Sequence, residues 1–132
     1  MRYGFTVKVI ISLLILIFLT FGVGLYALIT MRRTCAELYN EVDKAEKFIL
    51  QDNWIKAKEQ STLINNKWQK IRKEWAMLID HREIDKMHES MMRMAAYIKL
   101  EEDDDALVEC AVLKELIKHI ADKDSPVIQN IF

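Results

Sequence analysis

Glycine and proline are nearly missing from this chain. None of its three glycines follows Gly24, and its single proline is Pro126. The long stretch between them therefore lacks the usual punctuation of strands and loops, which favours uninterrupted helix. The two cysteines, Cys35 and Cys110, are too few for a disulfide scaffold and lack metal-ligand spacing. A bond between them requires the chain to fold back and bring those two points together. There is no glycine-rich phosphate loop, no H-E-x-x-H and no G-x-S-x-G. We therefore expect no enzyme and no cofactor. A hydrolase would need a cleft placing Cys35, Cys110 or a serine such as Ser61 or Ser90 beside His81 or His119. A charge imbalance is missing too. All 20 acidic residues and every basic one except Arg2 and Lys8 come after residue 31, with the signs interleaved. No basic stripe exists to displace counterions, so nucleic acid is not an expected partner.

What is present is a run of 23 uncharged residues, Val9–Met31, fenced by Lys8 and by Arg32–Arg33. As a helix it reaches ~34 Å, enough to cross a hydrocarbon core of ~30 Å. A cleaved secretory leader would have an apolar region of only ~7–15 residues and small residues at its cleavage site. Here the residues before Cys35 are Thr30, Met31, Arg32, Arg33 and Thr34, so the run reads as an uncleaved signal anchor. The lipid bilayer is the first expected partner, and the cell membrane the expected location, with a single pass. The flanks, Arg2 and Lys8 against Arg32, Arg33, Lys44 and Lys47, are too even for the positive-inside rule to choose a side. A short basic tail before one long apolar run usually stays in the cytoplasm, which would put residues 32–132 on the extracytoplasmic side. Thr20 and Gly24 form a small-xxx-small pair that permits two spans to approach as a homo-oligomer.

The remainder carries helical periodicity almost throughout. Cys35, Leu38, Val42, Ala45 and Ile49 form one stripe. Asp52–Asn53 is a turn pair whose side chains can cap the next helix. Trp54, Ala57, Ser61, Ile64, Trp68, Ile71, Trp75 and Leu78 form a second stripe. Asp80, with Glu83 three residues on, resembles a capping box. Ile84, Met87, Met91, Met94 and Ile98 form a third stripe, the acidic cluster Glu101–Asp105 a boundary, and Ala106, Cys110, Leu113, Ile117 and Ile120 a fourth, ending near Ser125–Pro126. Positions 49 apart match weakly: Leu38 with Met87, Val42 with Met91, Ala45 with Met94, Ile49 with Ile98, and Ala57 with Ala106. The predicted fold is all-α, one N-terminal transmembrane helix followed by an antiparallel four-helix bundle made of two helical hairpins. The expected divisions are a short basic tail (1–8), the anchor (9–31), the bundle (32–125) and an apolar C-terminal tail (126–132) that folds back onto the bundle. With no breaker in Thr30–Ala36, the first bundle helix should continue from the span.

Candidate sites are few. His81, Asp85 and His88 share one face of the third helix and are weak metal candidates. A di-metal bundle needs such a motif on two helices and further carboxylates, all pointing inward; a capped, solvated helix start accounts for the same residues. Glu101–Asp105 is contiguous and lacks the glycine bend of a calcium loop. Trp54, Trp68 and Trp75, with Met87, Met91, Met92 and Met94, make either a core or an adaptable groove. At least one tryptophan should reach the rim, where its N–H finds a partner. Trp54, Met92, Asp80 and His81 are the candidate partner-binding residues.

The anchor, Trp68 and Trp75, the DHREID stretch Asp80–Asp85, Tyr97–Ile98, Ala106–Leu107, Lys118–His119–Ile120 and Asn130–Ile131–Phe132 together resemble a family of uncharacterised single-span proteins of Firmicutes, domain of unknown function 4363. That resemblance implies a Gram-positive membrane protein with an extracytoplasmic helical domain and a multi-span membrane protein as partner. It supplies no activity. The expected function is a membrane-anchored helical interaction module acting with another membrane protein; the alternative is an extracytoplasmic ligand or metal sensor subunit.

Overall fold

The computed structural model describes residues 2–123. The expected helix end at Ser125–Pro126 and the fold-back of Val127–Phe132 lie outside the described residues. Within them all regular structure is helical: α1 (Arg2–Leu50), α2 (Trp54–Trp75), α3 (His81–Lys99) and α4 (Asp103–Lys123). The chain divides into two compact units, Met1–Arg33 and Thr34–Phe132, and α1 runs through Thr30–Ala36 without interruption.

The first unit is a single helical segment whose side chains are exposed from Arg2 to Tyr26; Phe18 is 81% exposed and Phe21 77%. Three of its aliphatic hydroxyls are satisfied internally. Thr6, Ser12 and Thr20 donate to the carbonyls of Arg2, Lys8 and Leu16 at 2.8–2.9 Å. This back-bonding leaves none of these hydroxyls in need of water.

The second unit is a ring of four antiparallel helices. Gln60 of α2 donates to Glu41 of α1, and Trp68 of α2 donates to His88 of α3. Arg93 of α3 meets Glu109 of α4, and Lys114 of α4 returns to Asp43 and Glu46 of α1. The predicted stripes form the core. Leu38, Val42, Ala45, Ile64, Trp68, Met87, Met94, Ile98, Ala106, Leu113 and Ile117 are each at most 1% exposed. Removing such side chains from water stabilises the fold by ~1.5–3 kcal/mol each for the larger ones. Two local expectations, the end of the second stripe and the capping box at α3, need correction. The second stripe ends at Trp75 rather than Leu78, because α2 stops there and Leu78 stands 57% exposed in the turn. At its other end Trp54 lies at the rim, its indole N–H donating to Asp52 Oδ1 at 2.8 Å. No capping box forms at α3. Asp80 accepts from the Arg82 amide at 3.0 Å, while Glu83 is drawn to Lys123 of α4.

The 49-residue repeat extends to the turns. Asp52 and Glu101 both have positive φ, 57° and 55°. Each stands just past its helix as the left-handed residue of a Schellman cap. Asp52 N donates to Ile49 O and Asn53 N to Phe48 O; Glu101 N donates to Ile98 O and Glu102 N to Tyr97 O. Neither residue is the glycine this conformation favours, yet the two hairpins turn alike. Their polar contacts also correspond. Glu41 takes hydrogen bonds from Gln60 and Lys44. At the equivalent level Glu109 takes them from Ser90 and Arg93, with the positions of acid and neutral partner exchanged between helices.

Candidate functional site

The repeat makes one departure from symmetry conspicuous. On the α4–α1 side, Lys114 bridges Asp43 at 3.3 Å and Glu46 at 2.8 Å, with its ammonium 5.5 Å from the centre of the Tyr39 ring. Hydrogen bonds from Lys47 and Lys114 hold the Asp43 carboxyl below its usual range, and the bond to Glu46 raises Lys114. This bridge covers the seam. On the α2–α3 side the corresponding positions are Asn65, Met92 and Ala95. These three supply neither a long cation nor carboxylates to face one.

A groove of about 460 Å³ results, lined by Lys58, Ser61, Thr62 and Asn65 from α2 and Met91, Met92, Ala95, Ile98 and Lys99 from α3. Met91 and Ile98 are buried and form its floor, while Met92 is 61% exposed at its lip. Thioethers there provide an apolar surface that adapts its shape. At one end Lys58 is held by Glu101 at 3.0 Å. The groove thus has an apolar base, small hydroxyl and amide groups along one wall, and cations at one end.

The candidate residues read from the sequence do not converge. Met92 lines the groove. Asp80 and His81 stand at the start of α3, and His81 is eleven residues from Met92 along the helix, which is ~16 Å. Trp54 sits beside the α1–α2 turn with Asp52. His81 and Asp85 are exposed, and His88 Nδ1 is occupied by the Trp68 indole N–H at 3.2 Å. Among the described residues no three His, Cys, Asp or Glu side chains are grouped to hold a metal. The acids Glu101–Asp105 form the α3–α4 turn and the first turn of α4, where carboxylates suit the helix dipole. Cys110 is fully buried, and burial together with the nearby Glu46 and Glu109 carboxylates, only partly offset by Lys114, pushes its thiol up to about 12. Such a thiol is the opposite of an activated nucleophile. The groove residues Ser61, Thr62, Asn65 and Ala95 do not stand out in the sequence as a site. The signal that finds them is the comparison of the two repeats, in which Asp43, Glu46 and Lys114 become Met92, Ala95 and Asn65.

A family model described as a domain of unknown function, DUF4363, matches residues 25–131. The chain belongs to the DUF4363 family. The matched range begins inside the apolar run and takes in both hairpins, so the DUF4363 domain of this chain contains the whole groove. No curated protein and no solved structure matches it.

Proposed function

We propose that this DUF4363 chain is a membrane-anchored interaction module whose α2–α3 groove receives a helix of a partner membrane protein. Supporting the anchor is one helix long and apolar enough to cross a membrane, with hydroxyls bonded back to its own carbonyls. In lipid such closure is required of every polar group. In this reading the chain crosses the membrane once and the bundle lies on the extracytoplasmic side, with Arg2 and Lys8 left in the cytoplasm.

The observation that carries the docking reading is the open α2–α3 seam beside a closed α4–α1 seam of the same design. A groove between two helices with a Met floor suits an amphipathic helix presenting apolar anchors at i, i+3 and i+4. The test is a photo-crosslinking amino acid placed at Thr62, on the groove wall, and at Glu115, on the exposed face of α4. In native membranes, position 62 should give a discrete adduct with a multi-span protein and position 115 should not. Equal adducts at both positions, or none at 62, would contradict the reading.

A further inference from the structure

The turn Ala76–Asp80 between α2 and α3 carries Met77, 92% exposed, and beside it Leu78, 57% exposed. No other large apolar residue described is as exposed as Met77. The turn is braced from below, because Trp75 is buried and packs edge-on against Trp68 at 6.0 Å. Its amides are partly closed on themselves: Leu78 N and Ile79 N both donate to Trp75 O at 2.9 Å, and Ala76 N donates to Arg72 O. An apolar tip with most of these amides bonded internally suits the headgroup–acyl boundary, where some water remains.

Its position within the bundle gives that tip a destination. The pairings of Gln60 with Glu41 and Lys114 with Asp43 make α2 and α4 antiparallel to the bundle part of α1. The α2–α3 turn therefore lies at the end of the bundle where Thr34 begins. Thr34 is three residues from Met31, the last of the apolar run, at most ~10 Å of chain even if fully extended. Connectivity alone thus ties this end to the lipid boundary. Charge agrees. Lys73 and Arg82 are exposed on either side of the turn beside Glu74 and Asp80, the latter 3.4 Å from Arg82, so the signs balance there, whereas the opposite end carries the acidic series Asp52 and Glu101–Asp105. Leu50, Ile55 and Leu100 are exposed there as well, but among carboxylates that an anionic surface repels.

We propose that Met77, Leu78 and Ile79 form a foot that enters the headgroup–acyl boundary of the same bilayer, with Lys73 and Arg82 against anionic headgroups. This rests on the membrane anchoring proposed above. The test uses the full chain in phosphatidylcholine vesicles containing about a quarter phosphatidylglycerol. Spin labels are placed singly through Met77→Cys, Leu78→Cys, Leu100→Cys and Ile15→Cys, and the unsubstituted chain, whose cysteines are buried, sets the background. All four sites are exposed, so none threatens the fold. Collision rates with oxygen and with a water-soluble nickel chelate should give an oxygen-to-nickel ratio at 77 and 78 about three-fold or more above that at 100. That excess should shrink in vesicles without phosphatidylglycerol. A lipid-like ratio at 15 with a water-like ratio at 77 and 78 overturns the foot alone. Loss of both collision rates at 77 overturns it in favour of protein contact. A water-like ratio at 15 overturns the anchor and the foot together.

Discussion

Trp68 has no exposed surface, yet its indole N–H must find an acceptor inside the bundle. It donates to His88 Nδ1 at 3.2 Å, which requires that nitrogen to be the bare one of the ring. This bond explains why a histidine sits half-buried one position from the apolar seam, and it uses the group a metal would need. Removing the acceptor leaves a buried donor whose desolvation is uncompensated, an effect of ~1–3 kcal/mol. We expect His88→Ala to lower the urea midpoint of the full chain in detergent by the equivalent of ~1–2 kcal/mol, since a half-buried site admits some water. Tryptophan fluorescence would report the transition, and an unchanged midpoint would show that the bond contributes nothing. The sequence does not pair these two residues. A stripe pattern gives the face on which Trp68 lies, but which side chain from a neighbouring helix meets its nitrogen depends on register, and twenty residues separate the two.

At the scale of helices the sequence was far more legible. The stripes from Cys35 to Ile49, Ala57 to Trp75, Ile84 to Ile98 and Ala106 to Ile120 are the buried faces, because a 3.6-residue period is a property of one helix alone. Helix ends were less so: Leu78 continues the apolar rhythm but falls in a turn, since nothing packs over it. The joins between helices were not legible, because long charged side chains choose their partners after the helices meet. The α1–α2 and α4–α1 seams show what they choose. Burial pushes the Glu41 carboxyl up, but hydrogen bonds from Gln60 and Lys44 and the charge of Lys67 outweigh it and hold the group low. Asp43 is held low by Lys47 and Lys114. A carboxylate with a depressed folded-state value stabilises the fold fully above its unfolded value and loses that contribution as pH falls through the folded one. Lys114, raised by Glu46 and Asp43, stays charged through neutrality and loses its contribution only in alkali. We therefore expect thermal stability to be flat from neutrality to about pH 5 and to fall below about pH 4. Lys114→Ala should shrink that acid step while leaving the contribution of Glu41. An acid step of full size in the variant would mean that Asp43 is not held by Lys114.

Taken as a whole, the DUF4363 bundle is one hairpin written twice, and one of its asymmetries lies in what covers each seam between equivalent helices. The weak matches 49 residues apart pointed to this, and the paired left-handed caps at Asp52 and Glu101 give it a physical basis. Two equivalent seams with different covers invite an exchange. The triple substitution Asn65→Lys, Met92→Asp, Ala95→Glu would give the α2–α3 seam the lysine and two carboxylates that close the α4–α1 seam. All three positions line the groove rather than the core proper; Asn65 and Met92 are exposed and Ala95 is half-buried. Partly exposed bridges of this kind contribute ~1 kcal/mol or less, so the helical signal should be unchanged and the urea midpoint should move by no more than that equivalent. If the groove is where the partner docks, the adduct from position 62 should disappear in this variant, because a polar bridge would occupy the apolar base. If the adduct persists at full yield in a variant as stable as the parent, the partner engages some other face, and the open seam is a packing difference without a docking role.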